Sequence, residues 1–143
     1  CWLLSWLQCV AEADCWRMDS IMAKLSKNFD SSEFACKCGC GFDTPDPELI
    51  RMLQTARDLY GKPITITSGC RCIKHNALSG GTPNSAHIQG KAADIATPTG
   101  ADRYLLIKAL LASGFGRIGI NFKSRFIHAD IDDSKPHPTI FSY

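Results

Sequence analysis

The chain carries the segment Ser-Ala-His-Ile-Gln-Gly-Lys-Ala-Ala-Asp at residues 85–94, and His-Ala-Asp follows at residues 128–130. These segments contain His87, Asp94 and His128, whose side chains are of the types that bind zinc in proteins. Small residues between His87 and Asp94 let the backbone turn closely, so that both side chains can meet one ion. Three protein ligands leave one position of a tetrahedral zinc ion open to water, which distinguishes catalytic from structural sites. The pattern therefore predicts a site for metal-assisted hydrolysis, although each residue alone also has an ordinary structural explanation.

Hydrophobic patterning around these segments predicts an α+β fold, in which helices flank a small, mostly antiparallel sheet. Helices are predicted from Asp46 to Gly61 and from Thr99 to about Ser113, with a short helix or turn over residues 69–81. Strands are predicted over residues 63–68, 91–96, 117–121 and 125–131. The last two strands are expected to be antiparallel neighbours. The tail from Asp132 carries two prolines and is expected to be irregular.

Strand alternation predicts which side chains face a cleft. In the strand 125–131, His128 and Asp130 share one face, and the other face carries the apolar residues Ile127, Ala129 and Ile131. Asp94 lies on the opposite face from its two apolar neighbours in the strand 91–96. We therefore expect these three polar side chains to face a cleft while their apolar neighbours face the core.

Composition limits the classes of function. A chain of 143 residues is long enough for one domain with a hydrophobic core, and its 45% hydrophobic and 21% charged residues are ordinary for a globular protein. The net charge of +2 is too small to indicate a nucleic-acid partner. The sequence contains no apolar run long enough to predict a membrane span.

The first 21 residues differ from the rest of the chain. They are rich in tryptophan and do not begin with Met, and two acidic residues interrupt their apolar run, so they fit a signal peptide poorly. We interpret residues 1–21 as an N-terminal extension outside the catalytic core and residues 22–143 as the functional domain. The alternative is a short amphipathic helix that packs on this domain.

The eight cysteines fall into two groups. One group lies in the first fifteen residues, and the other comprises Cys36, Cys38, Cys40, Cys70 and Cys72. A second zinc site bound by thiolates is one interpretation, but Cys-x-Cys-x-Cys is not the usual spacing of a zinc finger. Disulfides are the alternative if the protein works outside the cytosol, and free buried thiols are the third. We favour pairing between the 36–40 loop and Cys70 or Cys72.

Three blocks of the sequence resemble one family of zinc peptidases. They are residues 68–76 (SGCRCIKHN), 85–94 (SAHIQGKAAD) and 126–130 (FIHAD), and they occur in the family's order. The family is that of the zinc D-Ala-D-Ala carboxypeptidases and related peptidoglycan endopeptidases, and the resemblance is closest to its phage and prophage branch. It spans residues 28–131 and implies the fold shared with Hedgehog signalling domains.

The resemblance also implies roles for individual residues. His87, Asp94 and His128 correspond to the zinc ligands. Arg71 matches the family arginine that holds the substrate near the scissile peptide bond. Ser68, Asn76 and Ser85 lie in the same blocks and are expected to shape the substrate site.

The general base is where this sequence departs from the family. Many relatives carry an acidic residue a few positions before the last zinc histidine, but residues 121–127 contain no acid. Asp130 is the nearest substitute. It could take the proton of the attacking water, or it could support His128 as a hydrogen-bond partner. Asp132 and Asp133 are the next acids along the chain.

The expected function is zinc-dependent hydrolysis of D-Ala-containing bonds in peptidoglycan stem peptides or cross-links. Arg71 and the open fourth zinc position favour this enzyme. The alternative is a non-catalytic, zinc-containing Hedgehog-like module that binds cell-wall peptides, and the missing upstream acid favours it. We expect a monomer that acts at the bacterial cell wall or in the periplasm. Release by lysis or carriage on a virion would then bring it to the wall.

Overall fold

A computed structural model describes residues 23–143 and has an α+β fold, as predicted. The helices are α1 (Ser31–Phe34), α2 (Pro47–Tyr60), α3 (Ile73–Leu78) and α4 (Gly100–Ala112), with a 3₁₀ turn at Ala86–Gln89. The strands are β1 (Ile66–Ser68), β2 (Ala92–Ala96), β3 (Arg117–Asn121), β4 (Phe126–Asp130) and β5 (Thr139–Ser142). The interpretation of residues 1–21 as an extension lies outside the described residues and stays a prediction.

The five strands form one sheet in the order β1-β2-β4-β3-β5. Its pairs are antiparallel except for β3 and β5, which run parallel, so the sheet is mostly antiparallel as expected. Strands β3 and β4 are antiparallel neighbours, which confirms that prediction. The central pairing of β2 with β4 positions the candidate site, because it sets Asp94 directly opposite His128.

The two long helices begin and end as their capping residues predict. The Asp46 side chain accepts a hydrogen bond from the backbone N–H of Glu48 at the start of α2, and Gly61 ends this helix in the left-handed conformation. The Thr99 side chain accepts from the backbone N–H of Asp102 at the start of α4. These caps satisfy N–H groups that have no partner inside the helix.

The expectation of an irregular tail from Asp132 is wrong for its last part. Thr139–Ser142 forms the edge strand β5 beside β3. After Pro138 the chain has a β-branched, apolar and aromatic composition that suits a strand. Gly119 on β3 leaves room for this strand's rings, since a Cβ there would lie 2.7 Å from the Phe141 ring.

The two faces of the sheet have opposite characters. On one face, the apolar side chains of α2 and α4 join Ile95, Ile118 and Ile127 in a single buried core. On the other face lie Asp94 and His128, which line a cleft. Alternation along β2 and β4 separates the two sets, as the sequence predicted.

Candidate active site

His87, Asp94 and His128 converge at the floor of this cleft. One potential ligand atom from each lies within 4.8 Å of the others, and all three side chains are buried. Asp94 and His128 face each other across neighbouring strands, and the 3₁₀ turn brings His87 to them. The structure therefore brings together the three residues that the sequence singled out as candidate ligands.

A backbone hydrogen bond orients His87. Its Nδ1 lies 2.6 Å from the carbonyl oxygen of Gly69. Because a carbonyl only accepts hydrogen bonds, Nδ1 carries a hydrogen, and in the neutral ring Nε2 therefore keeps its lone pair. This lone pair is on the atom that lies 3.3 Å from Oδ1 of Asp94, so the ring is held in the tautomer that a metal ligand needs.

His128 lies between two carboxylates. Its Nδ1 is 2.9 Å from Oδ1 of Asp94, and its Nε2 is 2.8 Å from Oδ2 of Asp130. Burial lowers the pKa of His128, but the hydrogen bonds with Asp130 and Asp94 outweigh it and raise the pKa above the ordinary value. If Nε2 donates to Asp130, the Nδ1 lone pair of His128 faces the Asp94 carboxylate. Two hydrogen-bond acceptors then lie side by side, and a cation between them must offset their repulsion. A proton or a metal ion can do so, which fits a metal site at this position.

Asp94 is held ionised by its neighbours. Burial raises its pKa, but the hydrogen bonds that the His128 and His87 rings donate when they carry a proton toward Asp94 outweigh burial and hold the pKa well below its usual range. Nη2 of Arg71 also lies 2.7 Å from Oδ2 of Asp94 in a nearly buried ion pair. Nε of Arg71 donates to Oγ of Ser68 at 2.9 Å, so Ser68 orients the arginine.

Asp130 is almost completely enclosed, with 1% of its surface exposed. Its Oδ2 accepts from Nε of Arg117 at 3.1 Å and lies against His128, while its Oδ1 accepts from the backbone N–H of Asp132 at 3.1 Å. Both carboxylate oxygens are thus engaged, which suits a residue that holds His128 in place better than one that must collect a proton.

The cleft above these residues has a volume of about 540 Å³. The lining residues that the sequence did not predict include Arg117, Lys135, Phe141 and Tyr143. Arg117 and Lys135, together with Arg71, give the cleft three cationic side chains, and Phe141 and Tyr143 form an aromatic wall. The Phe141 and Tyr143 rings lie 6.2 and 6.3 Å from the His128 ring, so the unpredicted strand β5 forms part of the site.

The other predicted site residues have supporting positions. Ser85 lines the cleft, and its Oγ accepts from the backbone N–H of His87 at 3.4 Å. Asn76 is buried, and its amide nitrogen donates to the carbonyl of Thr82 at 2.8 Å. Asn76 thereby braces the loop at Gly80–Thr82, which forms one wall of the cleft. Asp132 lies beside the cleft, where it accepts hydrogen bonds from Ser134.

Comparison with known families agrees with this geometry. A sequence model of the Peptidase M15 family matches residues 27–130, which is most of the chain and includes all three candidate ligands. The chain belongs to the Peptidase M15 family. No curated protein sequence gives a significant match.

Membership of Peptidase M15 makes the chain a metallopeptidase of a zinc-dependent family. The five-stranded mixed sheet with its helices is compatible with the Hedgehog/DD-peptidase-like fold of M15 peptidases. Within residues 23–143, no helix is long and apolar enough to cross a membrane.

Gly69 is expected to be intolerant of any side chain. A Cβ at this position would lie 2.6 Å from Cα and 2.8 Å from the carbonyl oxygen of Phe34, and backbone atoms cannot easily yield. We expect Gly69→Ala to lower the free energy of unfolding by about 1–3 kcal/mol. It should also weaken zinc binding, because the Gly69 carbonyl orients His87.

Thermal unfolding and zinc titration of Gly69→Ala measure both effects. Gly100→Ala is the matched control, since its Cβ would meet no atom within 4 Å. Equal melting temperatures for the two variants would contradict the crowding at Gly69.

Proposed function

We propose that this M15 member hydrolyses D-Ala-containing peptide bonds in bacterial peptidoglycan stem peptides or cross-links, and that it belongs to the phage and prophage branch. The observation that carries the proposal is the position of His87, Asp94 and His128 at the floor of a cleft that Arg71, Arg117 and Lys135 also line. Stem peptides are short, extended and rich in carboxylates, so a cleft with three cationic side chains suits them. We place the action of the protein at the bacterial cell wall.

The candidate ligands would hold the zinc ion through Nε2 of His87, a carboxylate oxygen of Asp94 and Nδ1 of His128. When bound, zinc lowers the pKa of a water ligand to about 7 and polarises the scissile carbonyl group. The protein supplies the rest of the environment. Arg71 keeps Asp94 ionised and oriented, and the Gly69 carbonyl sets the tautomer of His87.

We assign Arg71 to the substrate as well as to Asp94. Its guanidinium has five N–H donors, and the contacts with Ser68 and Asp94 use two of them. Arg71 lines the cleft, so the remaining donors can bind a substrate carboxylate or a developing oxyanion.

Removal of the Arg71 side chain is expected to cost activity more than structure. We expect Arg71→Ala to reduce kcat/KM on a stem-peptide substrate roughly tenfold or more, since a charge-assisted hydrogen bond is worth about 1.5–3 kcal/mol. The zinc content at saturating metal should stay unchanged, because Arg71 is no ligand.

Kinetics on a synthetic stem peptide, with metal analysis of the same sample, check this expectation. Ser68→Ala is the matched control, because it removes one contact of the arginine and leaves the guanidinium in place. Unchanged kinetics of Arg71→Ala would remove Arg71 from the substrate site.

The second candidate function is binding of cell-wall peptides without cleavage. The observation that favours it is the engagement of both Asp130 oxygens, because Asp130 is the one carboxylate besides Asp94 among the described cleft-lining residues. Under the enzymatic proposal, Asp130 would position His128, and the proton of the attacking water would pass to solvent water because no dedicated carboxylate base is available in the described cleft.

A digest of purified peptidoglycan decides between the two functions. The zinc-loaded protein is incubated with the polymer and the soluble products are identified by mass spectrometry, with His87→Ala as control. New stem-peptide termini that depend on His87 support the peptidase and identify the bond that is cut. Intact peptides that co-sediment with the protein, with no new termini, would establish the binding module instead.

A further inference from the structure

Four cysteines meet on the side of the molecule where α1 leads into α2. Cys36, Cys38 and Cys40 come from the loop between these helices, and Cys72 comes from the start of α3. All four sulfur atoms lie within 4.8 Å of one another. Cys70, the fifth described cysteine, is not a member of this group and is buried in the hydrophobic core. The fold therefore sorts the described cysteines into a sulfur cluster and one core thiol.

The sulfur separations fit a shared metal ion and do not fit disulfides. Sγ of Cys38 lies 3.4 Å from Sγ of Cys36 and 3.6 Å from Sγ of Cys72. A disulfide requires about 2.0 Å, and all five described cysteines are free, so the expected pairing of this loop with Cys70 or Cys72 is not found. Zinc–sulfur bonds of about 2.3 Å in a tetrahedron place the sulfurs roughly 3.8 Å apart. The observed distances are close to this value.

Two glycines make the unusual Cys-x-Cys-x-Cys spacing workable. Gly39 and Gly41 adopt the left-handed conformation with φ of 76° and 85°, which side chains rarely allow. The N–H of Gly39 donates to the carbonyl of Cys36 at 3.1 Å, and the N–H of Cys36 donates to the carbonyl of Phe42 at 2.7 Å. The loop is thus coiled tightly enough for three nearby cysteines to point at one place.

Backbone donors already point at the sulfurs. The N–H of Cys72 lies 3.3 Å from Sγ of Cys36, and the N–H of His75 lies 3.4 Å from Sγ of Cys72. Such contacts stabilise negative charge on sulfur, which a metal thiolate carries. Lys37 lies between Cys36 and Cys38, and Lys74 lies two residues after Cys72. Both lysines are exposed, and they can offset the excess negative charge of four thiolates around one divalent ion.

We propose that Cys36, Cys38, Cys40 and Cys72 bind a second zinc ion, with a structural role and separate from the candidate active site. Four thiolates complete a tetrahedron and leave no open position for water, which is the arrangement of structural zinc. The sulfur cluster joins the 36–40 loop to Cys72, directly after Arg71. The N–H of Arg71 donates to the carbonyl of His87 at 3.0 Å, so this zinc would hold the segment that positions the candidate active site.

Metal analysis of the full chain tests the proposal. We expect two zinc ions per chain in the unsubstituted protein and one in the double variant Cys38→Ser/Cys40→Ser. These two cysteines are exposed, so their replacement should disturb packing least. Cys70→Ser is the matched control and should keep both ions. The His87→Ala variant should also bind one zinc ion, because it should lose the ion of the candidate active site and keep the ion of the sulfur cluster.

Cobalt distinguishes the two ions by their ligands. Cobalt bound to the sulfur cluster gives an intense sulfur-to-metal charge-transfer band, which His87→Ala should keep and the double cysteine variant should lose. This band does not depend on peptidase activity, so failure of the proposed function would leave the result intact. Serine replacements of Cys1, Cys9 and Cys15, which lie outside the described residues, should leave the band unchanged.

A thiol assay of the unsubstituted protein covers the case in which the double variant does not fold. In the zinc-loaded protein the four cluster thiols should be protected from a thiol reagent, and a chelator should expose them. The proposal would be overturned if the unsubstituted protein held one zinc ion, if His87→Ala lost that ion, and if the cobalt-loaded protein showed no charge-transfer band. Disulfides within the cluster, detected by mass spectrometry of the unreduced protein, would overturn it equally.

Discussion

The His87→Ala and His128→Ala proteins are expected to lose one zinc ion per chain, and peptidase activity should fall to the level of the metal-free protein. Each substitution removes one of the three candidate ligands, and each also removes a ring that lies within 3.3 Å of the Asp94 carboxylate. Only two protein ligands would then remain, which is fewer than catalytic zinc sites have, so they should not retain the ion.

Metal analysis and kinetics on a stem-peptide substrate measure both losses. His137→Ala is the matched control, because His137 is exposed and bonds to the carbonyl of Lys135 away from the candidate ligands. Full zinc content in both ligand variants would refute the assignment of the site. Normal zinc content with lost activity would place these histidines in the substrate site instead.

The site electrostatics depend on alternating charges. Arg71, Asp94, His128, Asp130 and Arg117 form a continuous chain of ion pairs and hydrogen bonds in which positive and negative groups alternate. Each carboxylate in this chain lies between a guanidinium and an imidazole. Such an arrangement fixes side-chain positions in the absence of substrate, as a preorganised site requires.

The three candidate ligands could be predicted because local rules fix their positions. Alternation along a strand decides which face each residue occupies, and a turn rich in small residues brings His87 near Asp94. The capped helices were predictable for the same reason, since Asp46 and Thr99 act on backbone groups a few residues away. These features need no knowledge of which strands are neighbours.

The missed residues depend on contacts between distant segments. Arg117 lies opposite Asp130 in the β3–β4 pairing, and a careful count of the short turn between these strands could have found it. Phe141 and Tyr143 could not be found in this way, because β5 joins the edge of β3 as a parallel strand. Parallel pairing of a short tail leaves no local signal of register.

The cysteine cluster shows the same limit. The sequence reveals Cys36, Cys38 and Cys40 as neighbours, but it cannot tell whether Cys70 or Cys72 approaches them. The structure decides in favour of Cys72, because Cys72 begins α3 with its sulfur accepting from the His75 N–H, whereas Cys70 turns into the core. Two cysteines that are two residues apart thereby have different surroundings.

Asp130→Asn is expected to weaken zinc binding roughly 10–100-fold, which is typical when a hydrogen-bond partner of a metal-bound histidine is changed. The reason is the 2.8 Å contact between Oδ2 of Asp130 and Nε2 of His128, which holds the ring with Nδ1 toward Asp94. An amide is a weaker acceptor than a carboxylate, and it also weakens the ion pair with Arg117. Activity should fall at limiting zinc and recover when zinc is supplied in excess.

Zinc titration followed by kinetics at saturating zinc separates this role from that of a general base. A general base contributes about 10²–10⁴-fold to turnover, and that loss would persist at any zinc concentration. Arg117→Gln is the matched control, because it removes the other side-chain partner of Asp130 and leaves the His128 contact in place. A turnover defect of Asp130→Asn that excess zinc does not relieve, together with normal zinc affinity, would make Asp130 the base after all. The engagement of both its oxygens predicts the opposite result, in which the carboxylate acts through His128 and the defect disappears once the metal site is full.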